Sequence, residues 1–140
     1  MAQRRDSAAP ARHPAQLLAL AIGVIYTLVG IAGFFVTGFE NFAAETDKTL
    51  LGFEINPLHN IVHLLVGAVL LLGATRGVAA SRAVNTAVGG VYLLVGIIGL
   101  FILDSSANIL ALNSADNVLH LVSAAALLGA GLAADKDGRR

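Results

Sequence analysis

Four apolar runs, Ala15–Thr37, Pro57–Thr75, Ala83–Leu103 and Ala115–Ala134, dictate what this chain can fold into. Each can cross a bilayer core about 30 Å thick, which takes roughly 20 helical residues. None alternates polar and apolar residues as a half-buried strand does, and in lipid only helices or closed barrels satisfy every backbone group. The expected fold is an all-α membrane protein with four transmembrane helices, and its first partner is the lipid bilayer. Charged residues make up 13% of the chain, about half the share usual in a soluble domain. Cysteine is absent, which excludes disulfides and thiolate metal sites. The formal net charge is zero, and no nucleic-acid partner is expected.

The charges are unevenly placed. Arg4, Arg5 and Arg12 precede the first run, Arg76 and Arg82 flank the second connection, and Lys136, Arg139 and Arg140 follow the last run. Eight of the nine basic residues thus fall on one side, with Lys48 alone on the other. The positive-inside rule makes both termini and the short middle loop cytoplasmic. Glu40, Glu45, Asp47, Glu54, Asp104 and Asp116 then lie at the outer face. Residues 1–14 and 135–140 are expected to be polar cytoplasmic tails around a transmembrane domain over 15–134. The first run exceeds the 7–15 apolar residues of a signal-peptide core, so it is expected to be retained.

The chain also matches itself. Gly23–Phe35, GVIYTLVGIAGFF, shares eight of thirteen residues with Gly89–Phe101, GGVYLLVGIIGLF. Asn56–Ala74 shares seven of nineteen with Asn113–Gly131. Low complexity does not supply the matched pairs Tyr26/Tyr92, Asn56/Asn113, Asn60/Asn117 and His63/His120. The reading is two tandem helical-hairpin repeats, about 15–75 and 83–134. Each repeat spans twice, so a pseudo-twofold axis along the membrane normal relates them.

The second and fourth runs open on polar motifs. Asn56 and Asn113 are good N-caps, and Pro57 suits a first helical position. Asp116 falls at the third helical position, where a carboxylate meets the positive helix end; His59 takes that place in the first copy. His63 and His120 lie seven residues past their caps, about 10 Å down the helix. His59/His63 and Asp116/His120 are each spaced i, i+4, on one face. Gly23, Tyr26, Gly30 and Gly33 fall within about 80° of one another, and Gly89, Tyr92, Gly96 and Gly99 repeat them. Such small faces permit close helix approach in membranes. The expectation is that Gly30/Gly33 and Gly96/Gly99 pack against the histidine faces.

Three functions suit the polar cluster His59, Asn60, His63, Asp116, Asn117 and His120. The first, which the sequence favours, is structural, as interhelical hydrogen bonds contributing about 0.6 kcal/mol each; the other two are alternatives. The second starts from the rule that ionisable residues inside a membrane are functional candidates. His59, His63, Asp116 and His120 have ligand chemistry for a metal, and paired imidazoles can also hold haem. The third is passage of a proton or small solute, for which four short helices need a homo-oligomer or another membrane protein as partner. No phosphate loop, nucleophile elbow or zinc-protease motif occurs, so nothing supports an enzyme.

The stretch Phe53 to Gly67, FEINPLHNIVHLLVG, resembles the bacterial membrane proteins grouped as domain of unknown function 4383. Asn56, Pro57, Leu58, His59, Asn60, His63 and Leu64 carry the distinctive part. The resemblance implies a small four-helix protein of the bacterial plasma membrane and brings no established activity.

Overall fold

The structure is a computed structural model that describes residues 12–133; the expected tails at 1–11 and 134–140 lie outside it. In chain order the elements are α1 (Pro14–Thr37), β1 (Thr49–Leu50), β2 (Phe53–Glu54), α2 (Pro57–Thr75), α3 (Val78–Ile102) and α4 (Ser114–Leu132). All four helices are long and apolar enough to cross a membrane, the arrangement of a multi-pass membrane protein.

Local chemistry sets the boundaries. Asn56 accepts from the His59 amide and Asn113 from the Asp116 amide, each closing the first turn of its helix. His13 caps α1 by accepting from the Ala15 amide, and Pro14 stands at the first helical position. Pro14 therefore belongs to the helix rather than to the tail. The start of α3 departs further from expectation, at Val78 instead of Ala83. Apolar length marks the lipid-facing part of a helix, not its end. Here the chain turns only at Gly77, whose φ of 104° an L side chain rarely adopts. The polar residues that follow are satisfied within the helix start and its neighbours. Ser81 Oγ donates towards the Gly73 and Gly77 carbonyls, and Arg82 Nε donates to Gly131 O at 3.1 Å.

Glycine brings α1 onto α2 and α3 onto α4. A methyl group at Gly23, Gly30 or Gly33 would collide with Leu71, Leu64 or Asn60. At Gly89, Gly96 or Gly99 it would collide with Leu128, Leu121 or Asn117. The glycine stripes therefore meet the asparagine–leucine stripe of the partner helix, one residue round from the imidazoles. This rotation turns the histidines towards the bundle centre. Ala19, Leu70, Ala74, Val88, Ala124 and Leu127 fill the interior between them and the α2–α3 connection. Large apolar side chains such as Leu28, Phe35, Leu65, Leu94, Phe101 and Val122 face outward.

Between α1 and α2 the chain adds a hairpin that no apolar pattern announced. Thr49 pairs with Glu54 and Leu50 with Phe53, around a Leu51–Gly52 turn with φ of 56° and 90°. Positive φ at both turn residues matches the twist of a two-residue hairpin.

Candidate functional site

The two cap asparagines also stitch opposite loops together. Asn56 Nδ2 donates to Ala44 O at 3.0 Å and to Ile109 O, in the other long loop, at 2.8 Å. Asn113 Nδ2 donates to Gly52 O of the hairpin at 2.9 Å. Each hairpin of helices is thus held to the loop of the other, which fixes the mouths of α2 and α4 side by side.

Beneath these stitches the i, i+4 spacing of α2 stacks His59 over His63, and α4 brings Asp116 and His120 alongside. His59 Nδ1 lies 2.9 Å from Leu110 O. A carbonyl only accepts, so Nδ1 carries the proton and His59 Nε2 presents its lone pair. That Nε2 stands 3.2 Å from His63 Nε2 and 3.9 Å from Asp116 Oδ1. One ligand atom from each of His59, His63 and His120 can be chosen so that all lie within 4.8 Å of one another. All four side chains are buried, none more than 3% exposed.

Aromatic rings form the floor. Tyr26 lies flat against His63, centroids 5.0 Å apart and planes 4° from parallel, and Tyr92 packs on His120 at 5.0 Å. The two tyrosines meet edge to face. Tyr26 Oη shares a 2.8 Å hydrogen bond with Ser123 Oγ, tying α1 to α4. Ser123 was not anticipated, although its place three residues after His120 puts it on the same face. Leu110, whose contribution is a backbone carbonyl, leaves no signal in the sequence.

The cluster divides into two kinds of residue. Asn60 and Asn117 sit against Gly33 and Gly99, and Asn60 Nδ2 donates to Thr37 Oγ1 at 3.0 Å; both belong to the helix contacts. His59, His63 and His120 converge instead, with Asp116 Oδ1 3.9 Å from His59 Nε2. Among them His63 Nδ1, His120 Nδ1 and Asp116 Oδ1 are buried and make no hydrogen bond among the described residues. Leaving a buried polar atom unpaired costs roughly 1–3 kcal/mol.

The family model described as domain of unknown function (DUF4383) matches residues 16–133, and the chain belongs to that family. Neither the curated proteins nor the solved structures give a match to this chain.

Proposed function

We propose that this member of the family is a multi-pass membrane protein that holds one divalent transition-metal ion between its two helical hairpins. His59, His63 and His120 are the nitrogen donors and Asp116 the oxygen donor. The observation that carries the reading is the convergence of three buried imidazoles whose ligand atoms all lie within 4.8 Å. A tetrahedral ion with bonds of about 2.0–2.1 Å sets its ligands about 3.3 Å apart. The His59–His63 spacing of 3.2 Å already fits such an edge. His59 further supports it through the Leu110 carbonyl, since metal-binding histidines ordinarily donate their second ring N–H to a carbonyl or carboxylate. Imidazole and carboxylate together suit zinc. Four protein donors describe a closed site, in which the ion clamps the hairpins.

Haem fits less well. The cavity that touches His63 measures about 160 Å³, while pockets for drug-sized ligands begin at about 300 Å³. Passage through a single chain is opposed by the packed layer around Leu70, Ala124 and Leu127, all fully buried.

The two hairpins are read as tandem copies about a pseudo-twofold axis. Support comes from the eight identities in thirteen residues and from the equivalent contacts Gly33–Asn60 and Gly99–Asn117. On that axis His59 corresponds to Asp116 and His63 to His120, two donors from each copy. The basic asymmetry supports a bacterial plasma-membrane orientation with cytoplasmic termini and outward acidic loops.

Metal analysis of the detergent-purified protein tests the function. One zinc or cobalt ion per chain, lost in His63→Gln and His120→Gln, is the expected result. Wild-type protein that takes up no ion from zinc- or cobalt-containing buffer would overturn it.

A further inference from the structure

The cluster lies beneath the long loops at one end of the bundle. Two pockets lie on the long-loop face. One, of about 510 Å³, is lined by Glu40, Glu45, Asp47, Lys48 and Glu54 among others. The other, of about 310 Å³, is lined by Glu45, Glu54, Asp104, Asn113 and Ser114 with two leucines. The walls they share are Glu45 and Glu54. Five carboxylates face one lysine there, whose Nζ is engaged by Thr37 O at 3.0 Å. A concave acidic surface concentrates cations and speeds their capture.

An acidic rim alone would mean little, but a buried carboxylate continues it inward. Asn113 lines the second pocket, and its backbone N–H donates to Asp116 Oδ2 at 3.0 Å. Asp116 Oδ1 is unpartnered, its residue 1% exposed, and it stands 3.9 Å from His59 Nε2. In the opposite direction Tyr26, Tyr92 and Ser123 are followed by a packed apolar layer. From His63 to Leu70 is seven residues, about 10 Å along the helix, and Leu70, Ala124 and Leu127 are fully buried there. A cation stripped of water gains nothing in such a layer.

We infer that divalent cations reach the histidine site only from the long-loop face, captured by Glu45 and Glu54 and handed inward through Asp116. This rests on the metal reading above and adds the loading route and its sidedness.

The test is the rate at which Co²⁺, added to detergent-purified apo-protein, develops the visible absorption of a tetrahedral site. Glu54→Gln and Glu45→Gln should each slow loading about ten-fold at 10 mM salt, a gap that narrows at 0.5 M as screening removes the attraction. Both should keep the wild-type spectrum and one ion per chain. Glu45 is exposed, so its variant remains informative if Glu54→Gln misfolds. In phosphatidylcholine–phosphatidylglycerol vesicles of mixed orientation, external Co²⁺ should fill a definite fraction of sites. That fraction should equal the share of Ser106→Cys chains that an impermeant thiol reagent labels. Unchanged rates in both variants, or filling of every site from outside, would overturn the route while leaving the metal site standing. If wild-type protein develops no band at all, the site and its route fall together.

Discussion

His59 and His63 face each other Nε2 to Nε2 at 3.2 Å inside an apolar bundle. Because Leu110 O holds the proton of His59 on Nδ1, the proton between the two Nε2 atoms belongs to His63. An ion bound at this point takes the lone pair of His63 Nε2, and the proton moves to His63 Nδ1, which makes no hydrogen bond among the described residues. Metal binding should therefore weaken as pH falls, since protons compete for the same lone pairs. Co²⁺ titrations from pH 8 down to pH 4 should show affinity falling towards the acid end. Affinity that is flat down to pH 4 would count against imidazole ligation.

Glutamine separates packing from ligation. It offers both a donor and an acceptor, so His63→Gln or His120→Gln should cost about 1 kcal/mol or less if the rings only hydrogen-bond. As metal ligands, each change should abolish most ion binding. It should also remove the stabilisation that comes from binding the folded form, about 2.7 kcal/mol at a hundredfold excess over Kd. Thermal unfolding with and without Zn²⁺ checks it: a metal-dependent rise in Tm is expected for wild type and for neither variant.

Two glycines should tolerate no methyl group. A Cβ at Gly33 or Gly99 lands on the carboxamide of Asn60 or Asn117, whereas Gly90 and Gly129 have nothing within 4 Å. Gly33→Ala and Gly99→Ala should each destabilise by about 1–3 kcal/mol, the usual cost of overpacking. Gly90→Ala and Gly129→Ala should be neutral or stabilise by up to about 1 kcal/mol, as alanine favours the helix. Unfolding in detergent that fails to separate the two pairs would contradict the close helix approach.

Orientation can be read in intact cells. With eight of nine basic residues on one side, cysteine at Ser106 should react with an impermeant thiol reagent and cysteine at Gly138 should not. The reverse labelling pattern would invert the topology.

The number of spans, the limits of α2 and the caps Asn56 and Asn113 were legible because each is a local property. Apolar length alone marked α2 from Pro57 to Thr75, and Asn56 and Asn113 announced their helix starts through side chains that bond three residues on. Helical period likewise put His59 with His63 and Asp116 with His120. The rotation of one helix against another was not legible, because it is decided by contacts between residues far apart in the chain. Only the packed bundle set Gly33 against Asn60 rather than against an imidazole, so that the histidines turned inward onto Tyr26 and Tyr92. The Leu110 carbonyl at His59, the Asn56–Ile109 stitch and the hairpin at Leu51–Gly52 belong to the same class. Backbone groups carry no side-chain identity, so composition and spacing cannot reveal which of them a buried ring will meet.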